Sequence, residues 1–277
     1  MKRIAIFGVG LIGGSFALAL RKAGFTGEIH GVSSPATIET AKSMGVIDGG
    51  MEAGEAAESC DFLYLAQPIL TIIQTLETIG ARIRPDALAT DAGSTKRLIV
   101  ETAARSVTGG LFLGGHPMAG KERSGVREAE AGLFEGRTYV LTPADKADLT
   151  RPAAAEFISW LERIGARIVY LEPDQHDRMV AFTSHAPQLI STALAGMLAD
   201  VDGHGDVAGP GVTGMTRLAM SPFGLWRDIL RTNQAHVEEA LAEIETRLSD
   251  LRARLSSGDL ELEFERAAEV ARRLRQK

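Results

Sequence analysis

His116 is the side chain best placed for acid–base work. It lies in Gly114-Gly115-His116-Pro117-Met118-Ala119-Gly120-Lys121-Glu122, at the carboxyl end of a short apolar run. A histidine held between glycines and a proline at a strand end is fixed and reachable. Its imidazole can accept the proton that a hydroxyl loses as hydride leaves the same carbon. A histidine that only caps a turn is the alternative reading of the same position. Two further segments fall just past strand-like runs, where an open α/β sheet gathers its ligands: Gln67-Pro68, and Asp91-Ala92-Gly93-Ser94-Thr95-Lys96. Ser94 in the second could orient the imidazole of His116.

The partner for a departing hydride is suggested at the other end of the chain. Gly8-Val9-Gly10-Leu11-Ile12-Gly13 has the spacing G-x-G-x-x-G. Gly8 allows a tight turn, Gly10 lets the backbone approach a pyrophosphate, and Gly13 lets the following helix pack on the sheet. The N–H groups of that helix, from Leu11 and Ile12 onward, then face the phosphates. The pattern follows an apolar strand and opens a helix, the context that gives it meaning. An acid about 20 residues on is expected to hold the ribose of NAD. Counting from Gly13 reaches Ser33 and Ser34. Two hydroxyls and no carboxylate at this point lean the cofactor, an NAD(P), slightly toward NADP, although no arginine stands beside them.

The elements that must position these groups alternate. Strands are expected at 3–8, 28–32, 62–66, 87–91, 111–115, 138–142 and 167–171, and helices at 12–23, 37–44, 69–79, 95–104 and 153–164. Such alternation predicts a doubly wound, mostly parallel sheet of the Rossmann type over residues 1–171. After Pro173 the strand-like runs stop: 174–200 and 225–255 carry helical periodicity, and 260–274 is helical and highly charged. Residues 172–277 are therefore expected to form an all-helical domain. Its long apolar faces predict a homodimer through that domain.

Bulk properties narrow the classes. Hydrophobic residues make up 45 % of the 277, which excludes a disordered chain. A net charge of −6 gives no general attraction to nucleic acid or anionic lipid, so neither is expected as a partner. The single cysteine, Cys60, sits at the entry of an apolar run and reads as a small core residue in a reducing, cytoplasmic setting. Met1-Lys2-Arg3 and the apolar run after it could pass for a secretory signal, but cleavage there would remove the glycine loop. The loop 200–211 has oxygens at the first and third positions of a calcium loop and Gly205 at the sixth. Gly211 stands where the bidentate glutamate belongs, so no metal is expected.

Taken together, the motifs resemble the prephenate/arogenate dehydrogenase family of tyrosine biosynthesis. The similarity rests on the glycine loop, the segment ending at Lys96, His-Pro-Met-Ala-Gly at 116–120, Ser184-His185-x-Pro187, and Met215-Thr216-Arg217-Leu218-Ala219 followed by Trp226-Arg227-Asp228. It implies an oxidative decarboxylation that aromatises the substrate ring while hydride passes to the nicotinamide. It also implies that His116 takes the hydroxyl proton, with Ser94 hydrogen-bonded to it. Arg217 would pair with a carboxylate of a small anionic substrate, His185 would contact substrate or nicotinamide, Glu122 would stand at the entrance, and Trp226 would support the pocket. Read without the resemblance, His185 could equally be a satisfied core histidine, since Pro187 would disturb the helix there. His176 and Asp177 read as surface or capping groups at a helix start. Arg217 falls in an otherwise apolar segment, 214–220, where an unpaired guanidinium would be costly, so a structural salt bridge is its other reading. A β-hydroxyacid-type dehydrogenase would supply a lysine base early in its helical domain, and residues 172–200 contain no lysine. A dinucleotide-sensing module without catalysis is the rival from outside the enzymes.

Overall fold

The first strand, β1 (Arg3–Phe7), is buried on both faces and runs into the glycine loop, so the amino-terminal apolar run is the centre of a sheet. The computed structural model describes residues 1–121 and 123–276. After α1 (Leu11–Lys22) come β2 (Glu28–Val32), α2 (Pro35–Ser43), β3 (Gly49–Gly50), α3 (Ala53–Ser59), β4 (Phe62–Leu65) and α4 (Ile69–Ile79). There follow β5 (Leu88–Asp91), α5 (Arg97–Ser106), β6 (Leu111–Pro117), β7 (Thr138–Thr142), α6 (Pro152–Arg163) and β8 (Arg167–Tyr170). The eight strands form one sheet in the order β3-β2-β1-β4-β5-β6-β7-β8. All neighbours are parallel except β6 and β7. The order reverses between β1 and β4, which opens the ligand crevice of a doubly wound fold at their carboxyl ends.

Both faces of the sheet are covered, and alternate residues of a strand feed different cores. Ile4, Ile6, Phe62 and Tyr64 pack with Phe16 of α1, whose ring stacks on Tyr64 at 4.1 Å between centroids. Ala5, Phe7, Leu63 and Leu65 pack on the other side with Ile72 and Leu76 of α4, and buried Cys60 joins them. This two-sided burial is why the central strands read as unbroken apolar runs.

Downstream of Tyr170 every described element is helical: α7 (Pro173–Val180), a π-turn at Ala181–His185, α8 (Ala186–Ala199), α9 (Pro210–Thr216), α10 (Phe223–Thr232), α11 (Gln234–Arg254) and α12 (Glu261–Arg275). Two expected long helices are interrupted. Pro187 has no N–H for the carbonyl of Thr183, and the chain absorbs the mismatch by widening to a π-turn just before it. The 225–255 pattern breaks at Asn233, whose backbone leaves the helical region (φ −129°, ψ 26°). The short β3 and α3 fall in a stretch where no element was expected, because two glycines and an alanine-rich helix carry little periodic signal. Among the described residues no helix is long and apolar enough to cross a membrane.

The glycine loop fixes how α1 meets the sheet. Gly8 has φ +85°, and a Cβ on Gly13 would lie 2.3 Å from the carbonyl oxygen of Gly8 and 2.8 Å from Ile6 Cγ2. Gly13→Ala is therefore expected to destabilise the fold by about 1–3 kcal/mol, as overpacking against backbone does. Urea unfolding of the two proteins measures this, and an unchanged midpoint would contradict the packing described.

Candidate active site

The carboxyl ends of β4, β5 and β6 and the first turns of the helical domain meet in one buried region. Strand pairing between β5 and β6 ends at Thr90↔Leu113, three residues short of His116. Beyond it the ladder is continued by side chains. Asp91 Oδ1 accepts from the Gly115 N–H at 3.1 Å, and Lys96 Nζ donates to the Gly115 carbonyl at 2.8 Å. Lys96 also pairs with Asp91 Oδ2, which accepts from Gly93 N–H at 2.8 Å as well. Both side chains are fully buried. The Asp91–Lys96 segment is thus a clamp on the peptide that precedes His116. Gly114 and Gly115 are required there, since a Cβ on either would strike Thr142 Oγ1 or the Asp91 carbonyl within 2.6 Å.

His116 is buried, and its Nδ1 is hydrogen-bonded to Nε2 of His176 at 2.8 Å. His176 Nδ1 in turn meets Asp177 Oδ1 at 2.8 Å. An ionised carboxylate only accepts, so His176 must carry its proton on Nδ1. Burial pushes the pKa of both imidazoles down, strongly for His116, where the neighbouring His176 and the Lys96 ammonium push the same way. Both rings are therefore neutral near pH 7. A neutral His176 protonated on Nδ1 offers a lone pair at Nε2, so His116 donates from its Nδ1. The lone pair of His116 is thereby placed on Nε2, the tautomer a general base needs.

Asp177 has a second task. Lys96 and Arg97 open α5 with no capping side chain of their own, and their N–H groups donate to Asp177 Oδ1 at 2.6 Å and Oδ2 at 2.9 Å. Asp228 of α10 does the same for α4, where the N–H of Leu70 donates to Oδ2 at 3.4 Å. Thr95 and Thr232 hydroxyls complete the contact at 2.8 Å. His176 and Asp177, expected as surface or capping groups at a helix start, are both buried at the junction, and Asp177 does cap a helix, α5. What hid them is that Asp177 caps a helix 80 positions away in sequence, not its own.

The other anticipated residues are distributed as follows. Ser94 is half-buried in the turn after β5, beside this clamp, while the Nδ1 bond of His116 goes to His176. His185 is buried in the π-turn. Its Nδ1 accepts from the Asn233 amide at 3.2 Å, and the same amide donates to the Asp177 carbonyl at 2.8 Å. Burial lowers the His185 pKa to about 4, so this ring is neutral with its proton on Nε2. Trp226 packs edge-to-face on His185, 5.9 Å between ring centres, and its buried indole N–H has no hydrogen-bond partner among the described residues. Arg217 is exposed at the start of the short turn Arg217–Met220. The cost of burial invoked for it therefore does not apply. The turn is tied to α8 by Gln188 Nε2 donating to the Leu218 carbonyl at 2.8 Å and by the Ala219 N–H donating to Ser191 at 3.0 Å. Glu122 lies outside the described residues.

The glycine loop leaves room for a dinucleotide. A Cβ on Gly8 would strike the Ala66 carbonyl at 2.8 Å, whereas one on Gly10 would meet nothing within 4 Å. The approach above Gly10, at the uncapped start of α1, is open to a pyrophosphate. Gln67 and Pro68 stand across the crevice, with Gln67 Oε1 accepting from Thr75 at 3.0 Å. Ser33 is exposed at the end of β2. Ser34 caps α2, its hydroxyl accepting from the Thr37 N–H at 3.4 Å. Glu52, just before α3, and Glu55 within it line the same cavity as Ser33.

Comparison with known proteins matches residues 16–170 to the family model described as prephenate dehydrogenase, nucleotide-binding domain, and residues 172–269 to prephenate dehydrogenase, dimerization domain. A prephenate dehydrogenase of Lactococcus lactis subsp. cremoris is 31 % identical over all of this chain and 77 % of its own length. The crystal structure of Aquifex aeolicus prephenate dehydrogenase with hydroxyphenyl propionate and NAD+ superposes with a TM-score of 0.88 at 31 % identity, covering 98 % of this chain and 97 % of that one. Synechocystis arogenate dehydrogenase gives a TM-score of 0.83 at 30 % identity, covering 99 % of both.

The buried histidines make stability depend on pH with a definite sign. The unfolded chain binds their protons near pH 6.5, and the folded chain only lower, for His185 at about 4. Stability is thus fully present above about pH 6.5 and is lost as pH falls toward 4. Chemical denaturation between pH 7 and 4 should show a falling unfolding free energy, with a shallower slope in His185→Asn. Stability that held constant or rose on acidification would contradict the neutral assignments.

Proposed function

Because this chain belongs to the prephenate dehydrogenase family, we propose that it catalyses the oxidative decarboxylation of prephenate, or of its amino counterpart arogenate. The products are 4-hydroxyphenylpyruvate or tyrosine, and NAD(P)+ is reduced. The observation that carries this reading is the Asp177–His176–His116 chain of hydrogen bonds, which leaves a neutral imidazole with its lone pair on Nε2. When bound, the nicotinamide supplies the acceptor for the hydride. The chain's own residues handle the proton: His116 takes it from the hydroxyl of the carbon that gives up hydride, as the ring carboxylate leaves as CO2. Aromatisation of the ring then makes the step effectively irreversible.

The remaining roles follow from chemistry and placement. Ser94 follows β5, the neighbour of the strand that carries His116, and would steady the imidazole or the substrate hydroxyl. Arg217 would hold a carboxylate by two parallel hydrogen bonds, and its exposure makes it reachable by a substrate that carries two. His185, a donor at Nε2, and the unpartnered indole N–H of Trp226 are further donors suited to an anion. Glu122 at the entrance completes the proposed set. Gly8, Gly10, Leu11, Ile12 and Gly13 would hold the pyrophosphate, and Ser33, Gln67 and Pro68 would border the rest of the dinucleotide. The helical domain exposes Met220, Phe223, Leu248, Leu262, Phe264 and Leu274, each more than half open to solvent, and a second copy of the chain would cover them in a homodimer.

Turnover is followed by NAD(P)H absorbance with prephenate and with arogenate. Activity with at least one supports the reading, and none with either rejects it. His116→Ala should lower kcat at least about 100-fold with cofactor affinity retained, the scale of a lost general base. Arg217→Ala should chiefly raise KM for the substrate. A wild-type kcat in the first variant, or an unchanged KM in the second, would overturn the respective role. His176→Gln should lower kcat and shift the acidic limb of the pH–rate profile, which in the wild type should lie below pH 6.5. A limb left in place would remove His176 from the base's hydrogen-bond chain.

A further inference from the structure

We infer that Glu52 and Glu55 make this chain select NAD over NADP. The inference rests on the dinucleotide reading above and adds which form is taken and why.

Strands β2 and β3 are parallel, with His30↔Gly49 and Gly31↔Gly50 in register. The residues that follow the two strands therefore run side by side, which brings Met51 and Glu52 level with Val32 and Ser33. Glu55 follows one turn later in α3. Between them lies a cavity of about 320 Å³ whose lining includes Gly31, Ser33, Ile38, Met51, Glu52 and Glu55. It adjoins the glycine loop: a Cβ on Gly31 would stand 2.7 Å from Val9 Cγ2. In a doubly wound sheet the strand next to the glycine-loop strand ends at the adenosine ribose. The cavity thus occupies the place where the 2′ position is read.

Its chemistry is one-sided. It offers the hydroxyl of Ser33 and two carboxylates, and no lysine or arginine lines it. Arg82, the arginine that packs on α3, lies over Gly54 and is paired with Glu58 at 2.9 Å. The hydroxyl of Ser34 is engaged in capping α2. A ribose 2′-hydroxyl can donate to a carboxylate here. A 2′-phosphate, with a charge of about −1.5 to −2 at pH 7, can only accept and would meet two like charges. The acid that this fold ordinarily carries at the end of β2 is thus supplied from the neighbouring strand's continuation.

The test is equilibrium binding of NAD+ and of NADP+ to the whole protein by titration calorimetry, with no substrate present. The wild type should bind NAD+ about 100-fold more tightly, roughly tenfold for each facing carboxylate. Glu52→Gln/Glu55→Gln should tighten NADP+ by most of that factor and leave NAD+ within about threefold. In the wild type the discrimination should shrink as salt rises, because these charges face solvent. Equal or tighter binding of NADP+ by the wild type, or discrimination unchanged in the double variant, overturns the inference while leaving the dehydrogenase reading intact. If neither dinucleotide binds, the dinucleotide reading itself falls and takes this inference with it.

Discussion

Two carboxylates of the helical domain reach the helix starts at the mouth of the sheet. A helix leaves its first N–H groups without internal partners, and α4 and α5 have no capping side chains of their own. Asp228 and Asp177 reach across from the helical domain and supply the missing acceptors. A cap of this kind contributes about 0.5–2 kcal/mol. Its larger consequence is positional. The helix starts lie at the carboxyl ends of β4 and β5, so satisfying them docks the helical domain over the mouth of the sheet, where His116 stands.

The same carboxylate that caps α5 also sets a proton. Asp177 fixes the tautomer of His176, which fixes that of His116, while the buried Asp91–Lys96 pair clamps the peptide before it. Burying so many polar groups would be costly if any were left unpaired, and here nearly every donor at the junction finds an acceptor. Burial is also what keeps the imidazoles neutral. A site that must remove a proton from a neutral hydroxyl beside an anionic substrate needs a base that has not already been protonated. Desolvation supplies that at the expense of stability in acid.

The sheet was largely legible in the sequence, because buried parallel strands are apolar without interruption and each glycine of the 8–13 spacing has its own geometric reason. His116 was legible for a related reason: two glycines and a proline around a histidine at a strand end mark a backbone squeezed between neighbours. His176 and Asp177 were not. Their partners are 60 and 80 positions away, and a polar pair near a helix start usually caps that helix. Arg217 was misjudged in the opposite sense, since a run of apolar neighbours suggested burial where the chain makes an exposed turn. Glu52 and Glu55 escaped because the expected position was counted along β2, while the fold brings them to Ser33 from beyond β3. Pairing across space, not spacing along the chain, separates what could be read from what could not.

Catalysis as proposed requires His116 to be neutral, with its proton on Nδ1 and its lone pair on Nε2. Side-chain 15N NMR of the protein labelled at histidine measures this directly. At pH 6.5 the His116 ring should show a protonated Nδ1 and a bare Nε2, and Asp177→Asn should disturb this state. A His116 ring doubly protonated at that pH, or protonated on Nε2 alone, would contradict it.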